Sequence, residues 1–146
     1  MQSALLSLGT SSIAAFGKKP DNSLWKIGLR KPDNPNNYFE IVELEDEFLS
    51  TSAAYEQSFK MDGKTYHHII DAKSGAPSNK DIVSVTVISK NAVKSEAYST
   101  ALFIMGIDKG LDFHQKIGNF KAIFIKKDGK KFVANGERAL DNYKQS

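Results

Sequence analysis

The densest group of polar side chains lies in residues 66–75, which read Tyr-His-His-Ile-Ile-Asp-Ala-Lys-Ser-Gly. Neighbouring side chains of a strand point to opposite faces, so His67 and His68 are predicted not to line the same pocket. A His-X-X-Asp pair at the mouth of a turn, here His68 and Asp71, can hold a nucleotide or transfer a proton. A structural role also fits, with half-exposed imidazoles and Asp71 as a turn former.

A second group of reactive side chains lies in residues 95–101, which read Ser-Glu-Ala-Tyr-Ser-Thr-Ala. On a helix, Glu96 and Thr100 share one face about one turn apart. A carboxylate and a hydroxyl at that spacing are hard oxygen ligands that suit Mg²⁺ or Ca²⁺. Alternatively, Glu96 is a solvated residue of the first turn that interacts favourably with the helix dipole, and Thr100 bonds back to the helix. Residues 101–105 are apolar on nearly all sides, which predicts burial.

Two further segments carry weaker signals. Residues 8–12, Leu-Gly-Thr-Ser-Ser, have small side chains that allow backbone amides to face an anion, with Gly9 at the turn. The pair Thr51-Ser52 could contribute hydroxyl groups. The sequence contains neither a phosphate-binding Gly-Lys-Ser/Thr loop nor a Gly-X-Ser-X-Gly nucleophile elbow.

Alternating or β-branched runs predict the strands that position these residues. The clearest run, Ile-Val-Ser-Val-Thr-Val-Ile-Ser, covers residues 82–89. Asp-Gly pairs between strand-like runs, at residues 62–63 and 128–129, predict hairpins, and residues 72–80 are rich in turn formers. Together the patterns predict strands at residues 4–8, 13–16, 24–29, 38–44, 48–53, 55–60, 65–70, 82–89, 120–125 and 131–134.

Capping residues predict two adjacent helices. Asn91 can cap a helix that runs to residue 105, with Gly106 just past its end. Asp108 can cap a second helix that runs to residue 117 and stops at Gly118. Residues 137–146 are predicted to form a short frayed helix. The expected fold class is therefore α+β, a mostly antiparallel sheet packed against two or three helices.

The composition indicates one folded domain over residues 1–146, because hydrophobic residues make up 40% and charged residues 25% of the chain. The net charge is +3, and the lysines are scattered rather than gathered on one face, so we expect no nucleic-acid partner. Cysteine is absent, which excludes disulfides and thiolate metal sites. No apolar run is long enough for a membrane span, and residues 1–16 read as strand-turn-strand rather than a signal peptide.

The order of these motifs resembles the ApbE family. Residues 66–77 closely resemble the family's His-Ile-Ile-Asp-Pro-X-Thr-Gly-X-Pro signature, and residues 96–106 resemble its Asp-Ala-X-Ala-Thr-Ala-Leu-Phe-X-X-Gly helix. Upstream, the segments at residues 8–9, 25–28 and 51–56 follow in family order. The resemblance covers nearly the whole chain and implies an ApbE-like, T-fold-like architecture.

The resemblance implies an FAD:protein FMN transferase. Members bind FAD as substrate together with Mg²⁺, release AMP, and attach FMN to a Thr or Ser of a target flavoprotein. On the matching positions, Glu96 and Thr100 would hold the metal. His68 would act in catalysis or contact the flavin phosphate, and Asp71 would hold the turn or hydrogen-bond the ligand. The cofactor-binding residues would be Gly9, Thr51, Ser52, His68 and Ser74.

The chain departs from the family pattern in composition and length. Glu96 stands where the family has Asp, Ala53 where it has Gly, Ala72 where it has Pro, and Ser74 where it has Thr. The amino-terminal half of the family resembles nothing in this chain, so we expect an incomplete site that the missing half or a partner chain completes. For the full-length family the resemblance implies an extracytoplasmic, membrane-anchored location. The alternatives are a non-catalytic flavin- or nucleotide-binding module and a structural domain without a ligand.

Overall fold

The computed structural model describes residues 3–9, 11–31, 34, 36–56, 58–62, 64–78, 80–135 and 138–139. Its first nine strands are β1 (Ala4–Leu8), β2 (Ser12–Phe16), β3 (Trp25–Arg30), β4 (Tyr38–Leu44), β5 (Glu47–Ala53), β6 (Ser58–Met61), β7 (Lys64–His67), β8 (Ile70–Asp71) and β9 (Ala76–Pro77). They are followed by β10 (Ile82–Ser89), α1 (Ala92–Met105), α2 (Ile107–Ile117), β11 (Lys121–Lys126), β12 (Lys131–Asn135) and β13 (Arg138–Ala139). The predicted α+β class is confirmed.

The main sheet has the strand order β1-β2-β5-β10-β11-β12-β13 in the described part of the chain, and each neighbouring pair is antiparallel. The β-branched run of β10 lies in the middle, where Val85 is opposite Ser52 of β5 on one side and Phe124 of β11 on the other. Alternation along β10 therefore decides which side chains face each side of the sheet.

The two faces of the sheet are covered by different layers. On one face, Val85, Val87 and Phe124 pack with Leu102 and Phe103 of α1. On the other face, Ile88, Ile123 and Ile125 pack with Val42 and Leu44 of the β3–β4 hairpin. Since each face buries its own apolar cluster, the hairpin and the helices are held on opposite sides of the sheet.

The first helix begins with the predicted cap, whereas the second helix begins without one. The Asn91 side chain accepts a hydrogen bond from the Lys94 amide at 3.0 Å, which confirms the predicted N-cap of α1. The prediction that Asp108 caps α2 is wrong, because α2 begins at Ile107 after Gly106 and no side chain caps it. Asp108 lies inside the first turn, where its carboxylate faces the positive end of the helix dipole.

Four predicted segments differ from the structure in their bounds or in their type. The strand predicted at residues 55–60 begins only at Ser58, and the strand predicted at residues 65–70 breaks after His67. Within the turn-rich residues 72–80, the pair Ala76–Pro77 forms β9 against β8. Residues 137–146 were predicted to be helical, but Arg138–Ala139 pair with β12 as a strand, and the rest of this tail lies outside the described residues.

Neither helix of the described residues is long and apolar enough to cross a membrane.

Candidate active site

A cavity of about 360 Å³ lies where α1 and β5 meet the β1–β2 turn and the bend after β7. We call it the α1 cavity. Six residues predicted from the sequence lie on its wall: Gly9, Thr51, Ser52, His68, Glu96 and Thr100. The wall also includes Leu8, Ser11, Ser50, Ala53, Glu56 and Ser99. The fold therefore brings together residues from four separate parts of the sequence.

Helix α1 contributes Glu96 and Thr100 from its exposed face. Both side chains reach the cavity while Ser95 and Ser99, on the neighbouring face, are 1% exposed. The Thr100 hydroxyl lies 3.0 Å from the Ser52 hydroxyl of β5. The Glu96 carboxylate accepts a hydrogen bond from the Ser12 hydroxyl of β2, whose Oγ lies 3.0 Å from Oε1 and 3.2 Å from Oε2.

A network of buried hydroxyl groups joins α1 to β5 below the cavity. The Ser99 hydroxyl donates to the Glu96 carbonyl at 3.0 Å and lies 3.2 Å from the Ser50 hydroxyl and 3.0 Å from the Ser52 hydroxyl. One turn earlier, the Ser95 hydroxyl donates to the Phe48 carbonyl at 3.0 Å. Hydrogen-bonded buried hydroxyls stabilise one alignment of helix and strand, because a shift along the strand would leave them without partners.

The oxygen ligands of the α1 cavity fit a small divalent cation. Glu96 supplies a carboxylate and Thr100 a hydroxyl. Among the described residues, no three His, Asp or Glu side chains lie close enough together to hold a metal ion by themselves. A cation there would complete its shell with hydroxyls, backbone carbonyls or water. In proteins generally, Mg²⁺ is commonly held by one or two carboxylates and retains several waters.

The two adjacent histidines lie in different surroundings. The His67 imidazole donates from Nε2 to the Ser78 carbonyl at 2.9 Å and packs edge-on against Phe103, with ring centroids 5.6 Å apart. His68 follows the end of β7, is exposed, and lies on the wall of the α1 cavity. The break in the strand at His68 thus separates a packing histidine from a cavity histidine.

The remaining predicted site residues are Asp71, the last residue of β8, and Ser74, in the turn that leads to β9. The Asp71 carboxylate accepts from the Lys73 amide at 2.9 Å, and its carbonyl accepts from the Gly75 amide at 2.8 Å. Ser74 is exposed, and its amide donates to the Asp71 carbonyl at 3.2 Å. The structure does not bring either residue to the wall of the α1 cavity. Their predicted roles in catalysis and cofactor binding stay predictions.

The turn and strand that close the cavity are shaped by local backbone and hydroxyl contacts. Gly9 has φ of +73°, a left-handed conformation that glycine adopts without steric cost, and Thr10 after it lies outside the described residues. The Thr51 hydroxyl lies 2.8 Å from the Thr86 hydroxyl of β10, on the opposite face of β5 from Ser52. The Thr51 hydroxyl is therefore hydrogen-bonded to the neighbouring strand of the sheet, at the edge of the cavity.

A larger cavity of about 520 Å³ lies between the sheet and the β3–β4 hairpin, and sequence reasoning missed it. We call it the hairpin cavity. Its wall includes three cationic side chains, Lys26, Arg30 and Lys31, and the rings of Tyr38 and Tyr55. Burial raises the pKa of Tyr55 above its ordinary value, and the nearby Glu56 carboxylate acts in the same direction while Arg30 opposes it. The phenol therefore stays neutral at physiological pH.

The hairpin cavity adjoins the α1 cavity. Both walls include Gly9, Thr51 and Glu56, so the two spaces meet at the β1–β2 turn and the end of β5. A ligand could extend from the carboxylate and hydroxyls of α1 to the cations and aromatic rings of the hairpin. The alternation of Trp-Lys-Ile-Gly-Leu-Arg in β3 was the available signal, because it places Lys26 and Arg30 two positions either side of Gly28.

Comparison with known proteins gives one consistent family. The ApbE family matches residues 1–124. The FAD:protein FMN transferase of Klebsiella pneumoniae (strain 342) is 31% identical over 139 residues, covering 94% of this chain and 42% of that protein. The enzyme of the same name from Treponema pallidum (strain Nichols) is 32% identical over 134 residues, covering 86% of this chain and 37% of that protein.

Solved structures agree with the sequence relatives. The crystal structure of the ApbE protein of Thermotoga maritima superposes with a TM-score of 0.79 at 28% identity, covering 92% of this chain and 43% of that one. The apo form of the Pseudomonas stutzeri flavinyl transferase ApbE superposes with a TM-score of 0.71 at 34% identity, covering 91% of this chain and 41% of that one. This chain spans about two fifths of the length of these proteins.

Proposed function

Because this chain belongs to the ApbE family, we propose that it forms the cation-binding part of an FAD:protein FMN transferase site. The reaction transfers FMN from FAD to a Thr or Ser hydroxyl of a target flavoprotein. The bond between the FMN phosphorus and the bridging oxygen of the pyrophosphate breaks, and AMP leaves with that oxygen. The acceptor oxygen bonds to the same phosphorus and loses its proton.

The observation that supports this proposal is the composition of the α1 cavity. Two carboxylates, an imidazole and several hydroxyls line it, from α1, β5 and the residues just after it, the β1–β2 turn and the bend at His68. Phosphoryl transfer needs charge neutralisation and positioning far more than it needs covalent chemistry from the protein. Hard oxygen ligands beside an imidazole meet those two needs.

Glu96 and Thr100 are the residues that would hold Mg²⁺. They lie on one face of α1, and each is hydrogen-bonded to a serine of the sheet. A bound Mg²⁺ would neutralise negative charge on the pyrophosphate oxygens. The contribution of the protein is to keep the carboxylate and the hydroxyl on the same side of the helix, facing the cavity.

His68 has two roles open to it. Its imidazole can accept the proton of the acceptor hydroxyl, or donate a hydrogen bond to a flavin phosphate oxygen. Its place on the wall of the cavity that also contains the proposed cation ligands suits either role. Asp71 supports the turn that follows His68 through its hydrogen bonds to Lys73 and Gly75.

The hairpin cavity would receive the part of FAD that lies away from the cation. Arg30 and the two lysines of its wall offer positive charge to phosphate, and Tyr38 and Tyr55 offer ring faces and a phenol to an aromatic heterocycle. Because the two cavities meet at Gly9, Thr51 and Glu56, a dinucleotide could occupy both at once.

A second candidate function is ligand binding without transfer. Since the chain spans about two fifths of its relatives, this region could bind FAD without completing the reaction by itself. It would then be a non-catalytic flavin- or nucleotide-binding module. The two candidates differ in one product, a flavin covalently attached to the acceptor protein.

The test measures binding and transfer separately. Isothermal titration of the chain with FAD, with and without Mg²⁺, decides whether it binds a ligand. Transfer is measured by in-gel flavin fluorescence of an acceptor flavoprotein incubated with FAD and Mg²⁺. It is measured with this chain and with a chimera in which the chain replaces the matching region of the Pseudomonas stutzeri enzyme. Fluorescent acceptor supports the transferase; FAD binding without labelling in either protein supports the binding module.

Substitution of the proposed cation ligands is the first prediction. Glu96→Ala and Thr100→Ala are expected to abolish Mg²⁺-dependent labelling of the acceptor in whichever protein shows it, with little change in thermal stability, because both side chains are exposed. The control is Glu45→Ala, which removes a carboxylate from a surface ion pair with Lys18. Labelling that survives in both cavity variants would rule out these two residues as the cation ligands.

A further inference from the structure

We propose that Ser12 is a positioning residue that holds the Glu96 carboxylate in the orientation needed to bind a divalent cation. This inference rests on the cation site of the proposed function. The Ser12 hydroxyl donates to the carboxylate and lies 3.0 Å from Oε1 and 3.2 Å from Oε2. Ser12 itself is not on the wall of the α1 cavity, so it acts through Glu96 rather than on a ligand.

The need for such a contact follows from the exposure of Glu96. An exposed glutamate on a helix has three rotatable side-chain bonds, and ordering them to bind a cation costs conformational entropy. A hydrogen bond that already selects one orientation lowers that cost. Each carboxylate oxygen has two lone pairs, so the hydroxyl can use one site and leave the others for a cation.

The neighbouring strand provides the same arrangement for the second proposed ligand. Ser12 of β2 contacts Glu96, while Ser52 of β5 contacts Thr100 at 3.0 Å. The two strands are paired, with Ser12 directly opposite Ser50. Adjacent strands thus each place a serine hydroxyl against one of two helix residues a turn apart. The contact from Ser12 joins residues far apart in sequence, so only the folded sheet supplies it.

The experiment measures cation affinity without using turnover. Mn²⁺ serves as the probe because it binds to the same kind of oxygen ligands as Mg²⁺, and its free concentration is read by electron paramagnetic resonance. We expect Ser12→Ala to weaken Mn²⁺ binding by about tenfold, the usual size of the loss when a partner of a metal ligand is removed. Ser12→Thr keeps the hydroxyl and should restore most of the affinity. Competition with Mg²⁺ should give the same order.

A matched control is the hydrogen bond between the hydroxyl of Ser23 and the carboxylate of Asp21. It joins the same two chemical groups at 2.6 Å in an exposed turn away from the α1 cavity. Ser23→Ala should leave Mn²⁺ affinity unchanged. Circular dichroism of each variant establishes that the fold is kept.

The Glu96→Asp variant tests whether the effect of Ser12 depends on the length of the Glu96 side chain. Glu96→Asp shortens the side chain by one methylene, which takes the carboxylate out of reach of Ser12. In that background Ser12→Ala should have no further effect on Mn²⁺ affinity. Equal affinity of the wild type and Ser12→Ala, or an undiminished effect of Ser12→Ala in the Glu96→Asp background, would overturn the proposal. Absence of Mn²⁺ binding to the wild type would overturn it too, while the labelling assay would still decide the transferase proposal.

Discussion

Adjacent residues of the same type, His67 and His68, lie in different surroundings because the strand ends between them. His67 packs against Phe103 and donates to the Ser78 carbonyl, so it contributes to the interior. His68 lies beyond the last residue of β7 and faces the α1 cavity. Two imidazoles with the same chemistry therefore differ only in what the backbone places around them.

The two histidines should respond differently to truncation. His67→Ala is expected to lower the free energy of unfolding by about 1–3 kcal/mol, because it leaves a buried carbonyl without its donor and removes a ring contact. His68→Ala should change stability by less than about 0.5 kcal/mol but lower acceptor labelling by about 100-fold or more. Urea denaturation and the labelling assay give the two measurements. A loss of stability in His68→Ala as large as in His67→Ala would make His68 a structural residue.

At the level of elements, α1 is attached to the sheet by hydroxyls as far as Ser99 and by apolar packing nearer its C-terminal end. Ser95 and Ser99 contact β5 and the end of β10, whereas Leu102 and Phe103 enter the apolar cluster. The α1 cavity adjoins Glu96, Ser99 and Thr100, which precede the apolar residues along the helix. Helix α2 then packs closely on α1 and the sheet through Gly110, where a side chain would not fit.

Gly110→Ala tests that close approach. An added Cβ would lie 2.9 Å from Cζ of Phe124 and 3.2 Å from Cδ2 of Leu102. We expect a net loss of about 1–2 kcal/mol in the free energy of unfolding, because overpacking outweighs the better helix propensity of alanine. Asp112→Ala, on the exposed side of the same helix, should be neutral or stabilising. A stabilised Gly110→Ala variant would show that α2 can move away from the sheet without cost.

At the scale of the whole molecule, the sheet separates two apolar clusters that stabilise the fold from opposite sides. One cluster includes Ile82 and the helices, and the other includes Ile123 and the β3–β4 hairpin. The α1 cavity lies on the helix side and the hairpin cavity on the hairpin side, and they meet where the turn after β1 passes the end of β5. The site therefore depends on both layers.

Because the two apolar clusters are separate, substitutions in them should have additive effects on the free energy of unfolding. Ile82→Val and Ile123→Val should each lower the free energy of unfolding by about 0.5–1.5 kcal/mol, since both side chains are at most 2% exposed. The double variant should show their sum within about 0.5 kcal/mol, because the residues share no cluster. Ile41→Val, at a position that is 57% exposed, is the control with almost no effect. Strong non-additivity in urea denaturation would indicate that the two layers are coupled through the sheet.

Local features of the sequence were enough for the fold class and most elements. Alternation and β-branching predicted β1, β2, β4 and β10, and Asn91 and Gly106 predicted the ends of α1, because these signals act over a few residues. The predicted N-cap at Asp108 was wrong because an acidic residue is favourable both as a cap and within the first turn of a helix. The strand expected at residues 65–70 was predicted too long because nothing local distinguishes His68 from its neighbour.

The residue types of the candidate site were readable from the sequence, but their assembly was decided by the tertiary structure. Gly9, Ser52, His68 and Glu96 share a cavity because β2, β5 and β10 pair across long sequence separations and α1 packs on β5. The contact of Ser12 with Glu96 has no local signature at all, and the hairpin cavity has only the alternation of β3. Short-range periodicity reports the conformation of a segment, whereas a site depends on which distant segments bury their surfaces against each other.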